Sequence, residues 1–309
     1  MIYTVTLNPA IDKEYTVPQL VMNEVLRASS VRADYGGKGF NVSRMLAVLG
    51  GESRAVGFVG GHTGQLLQDG LISMGIATDF VWIEQESRTN ISIFDDQHKQ
   101  HIKLNEPGPL VAAEETRALM EKIRGLVQSG DWWVLAGSLT PGVPEDIFAQ
   151  IITLVQAGGA RAILDTSGQP LFLGCQAKPY LVKPNASEAE QLAGLPADTI
   201  EELTTLLPSI HKLGAQNIVV SAGKKGALLS DGKKHWLGSS PPIKEQNPTG
   251  AGDAMVGGLV FLLASGESLA TALSWGIACG AAAASQPGTR MPARDVVEEL
   301  LKKIKITEV

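Results

Sequence analysis

Short apolar runs alternate with segments of helical periodicity along most of the chain, and this alternation constrains the fold more than any other feature. Runs rich in β-branched and aromatic residues, such as residues 2–7, 132–136 and 218–220, are typical of buried strands. The segments between them carry apolar residues at the spacing of an amphipathic helix. Strands that alternate with helices form a mainly parallel sheet covered on both faces. The sequence therefore predicts a three-layer α/β fold without an inter-domain linker.

Two segments interrupt this alternation, residues 11–33 and residues 88–104. Both consist of short runs that alternate in polarity and lack helical periodicity, which is typical of hairpins. We therefore expect the two insertions to form one small β-structured lid, set apart from the main sheet.

Polar residues cluster where the predicted strands end. Asn8, Ser138, Asp165, Lys183 and Ser221 each stand at or just beyond such an end. The carboxyl ends of parallel strands share one edge of the sheet, and ligand sites of α/β proteins gather there. We expect the functional site at this edge.

Composition and charge exclude several classes of protein. The net charge is -6, with 26 Lys+Arg against 32 Asp+Glu, so no basic footprint for nucleic acid is expected. No apolar run is long enough to span a membrane, and the N-terminus lacks the basic and apolar regions of a signal peptide. The two cysteines, Cys175 and Cys279, form no recognisable framework and are expected to be buried, reduced thiols. These features predict a cytoplasmic protein with no nucleic-acid or membrane partner.

The strongest local signal is the segment 247–253, in which small residues immediately precede an apolar helix. Gly250, Ala251 and Gly252 let the backbone approach a ligand, and free N–H groups at a helix start attract a phosphate. The carboxylate of Asp253 would repel a phosphate, so its position indicates a group that accepts a proton from an attacking hydroxyl. The alternative interpretation is a capped helix start with an aspartate in its first turn.

This segment resembles the TGAGD signature of the ribokinase-like carbohydrate kinases, and residues 36–44 resemble the N-terminal glycine signature of that family. The resemblance extends from Thr6 to Thr289, and it is strongest to the phosphofructokinase-B branch, which includes 1-phosphofructokinases and tagatose-6-phosphate kinases. It implies one ribokinase-like kinase domain over residues 1–309 that uses ATP and Mg²⁺. It also implies that Asp253 is the catalytic base and that Gly250, Ala251 and Gly252 form an anion hole.

The segment 183–188 resembles the K-P-N-x-x-E segment with which the family arranges Mg²⁺ and the ATP phosphates. The resemblance makes Glu188 the metal residue, although a carboxylate that caps a helix remains the alternative. Lys183 is interpreted as either a phosphate ligand or a solvated lysine. Residues 221–227 resemble the family's nucleotide loop, with Ala222 where most members have leucine. The nucleotide-binding residues implied are Lys183, Asn185, Glu188, Ser221, Gly223, Gly226, Thr249, Gly250 and Gly252.

On the acceptor side, the resemblance implies that Lys38 and Arg88 hold a phosphate already present on the sugar, whereas Asp12 holds sugar hydroxyls. Without the family, both cations would be interpreted as surface charges. The substrate-binding residues implied are Asp12, Gly37, Lys38, Asn41, Arg88, Ser138 and Asp253.

The first functional hypothesis is phosphorylation of fructose 1-phosphate to fructose 1,6-bisphosphate. Tagatose-6-phosphate kinase and 6-phosphofructokinase are alternatives, because the same basic residues can hold a phosphate at either end of a sugar. A non-catalytic sugar-phosphate sensor is the alternative from another class, and loss of the base would be its signature. The resemblance also implies a homodimer joined through the lid, with apolar residues such as Val17, Ile91 and Ile93 between subunits.

Overall fold

The structure, a computed structural model, describes residues 1–309 and contains two β-sheets flanked by helices. The strands of the main sheet are β1 (Ile2–Thr6), β4 (Arg54–Gly60), β5 (Ala77–Ile83), β8 (Trp132–Ala136), β9 (Arg161–Asp165), β10 (Leu181–Val182), β11 (Asn217–Ser221), β12 (Ala227–Ser230), β13 (His235–Gly238) and β14 (Ile306–Glu308). The strands of the lid sheet are β2 (Ala10–Val17), β3 (Ser30–Gly36), β6 (Arg88–Asp95) and β7 (Gln100–Leu104).

Most of the helices lie between strands of the main sheet, and α8–α10 follow one another near the C-terminus. They are α1 (Lys38–Val48), α2 (Gly61–Ser73), α3 (Ala113–Leu126), α4 (Ile147–Ala157), α5 (Gly168–Gln176), α6 (Ala186–Ala193), α7 (Ile200–Leu213), α8 (Ala251–Ala264), α9 (Leu269–Ala284) and α10 (Arg294–Leu301), with one 3₁₀ turn at Gly223–Lys225. None of the helices combines the length and apolar character needed to cross a bilayer.

The main sheet has the order β14-β13-β12-β11-β10-β9-β8-β1-β4-β5. Its strands from β5 to β11 run parallel, and β12, β13 and β14 add an antiparallel edge. This arrangement confirms the predicted α/β fold with a mainly parallel sheet. The parallel strands bring their carboxyl ends to one edge, as the polar residues at those ends indicated.

The central strands are buried on both faces, so the side chains of each strand pack into two hydrophobic cores, one on either side of the sheet. In β8, Trp133 and Leu135 pack into the core on one side of the sheet, whereas Trp132 and Val134 pack into the core on the other. Trp133 is fully buried and stacks on Tyr3 of the neighbouring strand with ring centroids 4.2 Å apart. Helices cover both faces, which excludes water from the strands that position the site.

The lid sheet has the order β3-β2-β6-β7, with β2 and β6 parallel and the outer pairs antiparallel. It contacts the rest of the chain near the start of α8. Nζ of Lys103 lies 3.5 Å from Oγ1 of Thr249, and a Cβ on Gly288 would lie 1.9 Å from a guanidinium nitrogen of Arg32. The lid therefore lies over the segment that resembles the phosphate-binding signature.

Two elements were not predicted, α5 and β14. Helix α5 carries Gly168 and Pro170 near its start, which lower the helical signal, but proline is tolerated in the first turn of a helix. Strand β14 has three residues and pairs with β13, where the sequence predicted only the end of a helix. Cys175 and Cys279 are buried free thiols, as expected.

The stacked pair Tyr3–Trp133 predicts where the main sheet is most sensitive to truncation. Trp133→Ala should lower the free energy of unfolding by about 3–5 kcal/mol, because it removes a large side chain from a core that cannot collapse fully. Trp82 of the edge strand β5 is 47% exposed and is the matched control, with an expected loss below about 1 kcal/mol for Trp82→Ala. Urea titration of the three proteins measures both values, and equal losses would contradict the assignment of the core.

Candidate active site

The segment before α8 forms a tight turn that leads into the helix at the carboxyl edge of the main sheet. Gly250 caps α8 with φ 84°, a left-handed backbone conformation that favours glycine. Ala251 and Gly252 follow as the first helical residues, and Asp253 lies in the first turn with only 6% of its surface exposed. The backbone N–H of Ala251 donates a hydrogen bond of 3.2 Å to the carbonyl of Pro248. The N–H groups that follow it in the first turn of α8 have no partner within the helix, which suits an anion.

Asp253 is held by an amide from α1. Nδ2 of Asn41 donates a hydrogen bond of 2.8 Å to Oδ2 of Asp253, and Nη1 of Arg44 donates one of 3.0 Å to Oδ1 of Asn41. All three side chains are buried. The sequence assigned Asn41 to the sugar and gave Arg44 no function, whereas in the structure Asn41 contacts the candidate base directly.

Asp165 is a central residue of the site that sequence reasoning missed. It ends β9 and is 1% exposed, and its Oδ1 lies 3.3 Å from Nζ of both Lys38 and Lys183. Its Oδ2 is buried without a hydrogen-bond partner. The available signal in the sequence was the position of Asp165, a carboxylate directly at the end of a predicted buried strand. Lys183 is 4% exposed, so the interpretation as a solvated lysine is wrong.

Burial is the main cause that raises the pKa of Asp253, to about 6, and the nearby charge of Asp165 acts in the same direction. The ammonium groups of Lys38 and Lys183 and the hydrogen bond from Asn41 act in the opposite direction. A carboxylate with such a pKa is ionised at neutral pH and still binds a proton readily, as general-base catalysis requires.

Glu188 and Asn185 form a capping box at the start of α6. The backbone N–H of Asn185 donates to Oε2 of Glu188, and the backbone N–H of Glu188 donates to Oδ1 of Asn185, both at 2.8 Å. The alternative interpretation of Glu188 as a capping carboxylate therefore describes its contacts in the structure. Its charge also acts on Lys38, the lysine that pairs with Asp165.

The oxygen atoms at this edge fit Mg²⁺ bound together with a phosphate ligand. No group of three or more His, Cys, Asp or Glu side chains forms a complete metal cage. Magnesium in phosphoryl-transfer sites is bound by one or two carboxylates, with water and substrate phosphates as the other ligands. The unpartnered Oδ2 of Asp165 and the carboxylate of Glu188 would supply such ligands.

A cavity of about 470 Å³ opens beside the start of α8, within the size range of small-molecule sites. It is bounded on one side by the nucleotide loop and on the other by α8 and α9. An ion pair of 3.7 Å between Lys224 and Glu245 contributes to its wall. Lining residues that the sequence assigned to the nucleotide are Ser221, Gly223, Gly226 and Gly252. The other assigned residues lie outside this lining, namely Lys183, Asn185, Glu188, Thr249 and Gly250.

Arg88 at the start of β6 is anchored by the backbone. Its Nη1 donates 2.8 Å to the carbonyl of Glu106, and its Nη2 donates 3.0 Å to the carbonyl of Asn8. Its Nε is buried without a partner. The side chain is therefore fixed in place by two of its five N–H donors, rather than being a free surface charge.

The remaining acceptor-side residues lie on the lid and on loops at the carboxyl edge. Asp12 of β2 accepts a hydrogen bond of 2.8 Å from Asn90 of β6, and burial raises its pKa. Gly37 caps α1 with φ 142°, directly before Lys38. Ser138 follows β8 and is exposed, without a side-chain hydrogen bond.

Comparison with known proteins places this site in a family. The family model for pfkB family carbohydrate kinases matches residues 5–295. A 1-phosphofructokinase of Bacillus subtilis is 32% identical over 309 residues, which is 100% of both chains. A tagatose-6-phosphate kinase of Staphylococcus epidermidis is 32% identical over 312 aligned residues, again 100% of both chains.

Solved structures show the same architecture. Phosphofructokinase-2 of Escherichia coli, crystallised with potassium, superposes with a TM-score of 0.92 at 32% identity, covering 97% of this chain and 98% of the other. That protein has also been solved in a tetrameric inhibited form. An Arabidopsis thaliana ribokinase superposes with a TM-score of 0.78 at 22% identity over 97% and 98% of the chains, so the fold is ribokinase-like.

The charge of Asp165 predicts how the base responds to a substitution. Asp165→Asn should lower the pKa of Asp253 by about 1 pH unit, because it removes a negative charge that raises this pKa and leaves Lys38 and Lys183 without their partner. The carboxyl ¹³C shift of Asp253, followed against pH, measures the change. Asp79→Asn on β5, which also removes a lysine-paired carboxylate, is the matched control and should leave it unchanged. A higher or equal pKa in Asp165→Asn would show that Asp165 does not act on the base.

Proposed function

The chain belongs to the pfkB family of carbohydrate kinases and is an ATP-dependent sugar-phosphate kinase, and from this premise we propose that its acceptor is fructose 1-phosphate. The product would be fructose 1,6-bisphosphate. The observation that carries the proposal is the buried Asp253, which lies in the first turn of a helix whose free N–H groups suit a phosphate. The relatives named 1-phosphofructokinase that match along the full chain support this choice of acceptor.

In the proposed reaction, a hydroxyl of the sugar phosphate attacks the terminal phosphorus of ATP while Asp253 accepts the hydroxyl proton. The new bond joins the sugar oxygen to phosphorus, and the bond from that phosphorus to the bridging oxygen of ADP breaks. The N–H groups that follow Gly250 stabilise the charge of the transferred phosphoryl. Because only ionised Asp253 accepts a proton, turnover should fall as the pH drops through about 6.

Lys38 and Lys183 supply the positive charge for this transfer. Nζ of Lys38 lies 3.3 Å from Asp165, on the same carboxylate oxygen as Lys183, so we propose that Lys38 contacts the transferred phosphoryl rather than the phosphate already on the sugar. Asp165 and Glu188 would hold Mg²⁺, which would supply positive charge to neutralise phosphate charge.

The resident phosphate of the acceptor is assigned to the lid side of the site. Backbone carbonyls hold the guanidinium of Arg88 through one N–H of each terminal nitrogen, so its remaining N–H groups are donors whose positions are fixed. Asp12 would accept hydrogen bonds from sugar hydroxyls, and Ser138 would contribute a neutral one. The nucleotide would occupy the cavity lined by Ser221, Gly223 and Gly226.

Tagatose 6-phosphate is the second candidate acceptor. The Staphylococcus epidermidis relative is named for that activity and is as similar to this chain as the Bacillus subtilis 1-phosphofructokinase. Fructose 6-phosphate is a third candidate, and a non-catalytic sensor is opposed by the presence of Asp253.

An ADP-release assay with Mg-ATP tests the acceptor, using fructose 1-phosphate, tagatose 6-phosphate, fructose 6-phosphate and free fructose. We expect kcat/KM for fructose 1-phosphate to be at least about tenfold above the others, because only the correct acceptor places its reacting hydroxyl against Asp253 in the geometry of attack. Asp253→Asn should lower kcat by about 10²–10⁴ while ATP binding persists. A preference for another phosphorylated ketohexose would contradict only the proposed acceptor. Full activity of Asp253→Asn would contradict the assignment of Asp253 as the base.

We also propose that the kinase is a homodimer joined through its lid. The lid exposes Val31, Ile102 and Leu104, with 60%, 47% and 64% of their surfaces accessible. Val17, which the sequence placed between subunits, is 4% exposed within the single chain, so that part of the expectation is wrong.

Light scattering should give twice the chain mass of 32.6 kDa. Leu104→Glu should return the single-chain mass, because it places a charge on an apolar surface that the partner would bury. Leu195→Glu, at an exposed leucine outside the lid, is the matched control. A wild-type monomer, or a dimer unaffected by Leu104→Glu, would contradict the lid interface.

A further inference from the structure

Arg44 lies one helical turn after Asn41 on α1 and is 8% exposed. The hydrogen bond that its guanidinium donates runs to Oδ1 of Asn41 and not to a carboxylate. We propose that Arg44 is a positioning residue for the reaction, whose guanidinium fixes the amide of Asn41 so that the N–H end of that amide faces Asp253. The proposal rests on Asp253 being the base of the proposed function.

The physical basis is the asymmetry of an amide. A half-turn of the Asn41 amide exchanges its oxygen and its NH₂ group, which have nearly the same shape but opposite hydrogen-bonding character. Arginine has donors only, and an ionised carboxylate has acceptors only. In the flipped orientation, NH₂ would face the guanidinium of Arg44 and the amide oxygen would face the carboxylate of Asp253. Both contacts would be repulsive, so Arg44 selects the orientation in which Asn41 donates to the base.

The hydrogen bond from Asn41 stabilises the ionised form of Asp253. The charged groups that act on this carboxylate include Asp165 from β9, Lys38 from α1, Lys183 beyond β10 and Arg44 itself. If the Asn41 amide rotated freely, its hydrogen bond would no longer counteract the increase in the pKa of Asp253 that Asp165 causes. A larger share of Asp253 would then carry a proton at a given pH.

Lid residues also act on Arg44 electrostatically. The carboxylates whose charges act on its guanidinium are Asp34 of β3, Asp12 of β2 and Asp253. Its hydrogen bond, however, runs to the Asn41 amide. Arg44 also lines an open cavity of about 450 Å³ together with Met74, Arg290 and Met291, and we expect small ions from solvent to approach its position through this cavity.

The decisive variant is Arg44→Lys, which separates charge from orientation. Lysine keeps the positive charge but is one bond shorter, so its ammonium would not reach an oxygen that Nη1 contacts at 3.0 Å. We expect the acid limb of kcat/KM against pH to move up by about 1 pH unit, with kcat/KM at acidic pH about tenfold lower. The KM for ATP should change little. Arg290→Lys, at the other arginine of the same cavity, is the matched control and should leave the limb in place.

A second measurement tests whether the effect passes through Asn41. In an Asn41→Ala background, Arg44→Lys should cause no additional movement of the limb, whereas independent effects would add. Millimolar guanidinium chloride should restore part of the activity of Arg44→Ala through the open cavity, and should not restore that of Asn41→Ala. An unmoved limb in Arg44→Lys, or additive effects of the two positions, would overturn the proposal.

The pKa of Asp253, taken from its carboxyl ¹³C shift, is measured on the same variants without any substrate. It should rise in Arg44→Lys and stay constant in Arg290→Lys. This titration decides the positioning proposal even if none of the tested sugars is phosphorylated, so its failure is distinguishable from a failure of the proposed function.

Discussion

The active site depends on the mutual compensation of four buried or half-buried charges. Asp165 and Asp253 carry the negative charges, and Lys38 and Lys183 carry the positive ones. An unpaired charge in this place would be costly, because the interior solvates ions poorly. Each lysine is paired with Asp165, which leaves Asp253 with the amide of Asn41 as its hydrogen-bond donor. This arrangement holds both lysines at the site and leaves Asp253 without an ion-pair partner, so that it can accept a proton. It requires residues from α1, β9, the end of β10 and α8 to meet, which the shared carboxyl edge of the parallel strands provides.

Much of this could be predicted from the sequence, because the signals were local. The apolar runs gave the central strands, and the polar residues at their ends indicated the edge where the site lies. The small residues before α8 indicated the anion hole, and the carboxylate next to them indicated Asp253 as the base. The helix-capping role of Glu188 could also be recognised as an alternative from local sequence, because Asn185 and Glu188 are three positions apart at the start of one helix.

What could not be predicted depends on contacts between distant segments. Asn41 and Asp253 are 212 positions apart, and their hydrogen bond exists because α1 packs against α8. Asp165 stands alone in the sequence, without a motif around it, and its function follows only from the two lysines that reach it. The burial of Val17 within one chain and the short strand β14 are likewise consequences of tertiary packing that overrides local preference.

The lid is built from two pieces of chain, and this has a consequence for the order in which the protein folds. Its central pair, β2 and β6, is parallel, and Asp12 and Asn90 of that pair are 78 positions apart. Between them lie α1, β4, α2 and β5, which belong to the main body. Bringing together parallel strands so far apart in sequence has a substantial entropic cost. This cost is smaller once the intervening segment has folded, because the folded segment already holds the two strands close to each other. The lid should therefore be a late-forming structure, and during synthesis β2 would emerge well before its partner strand exists.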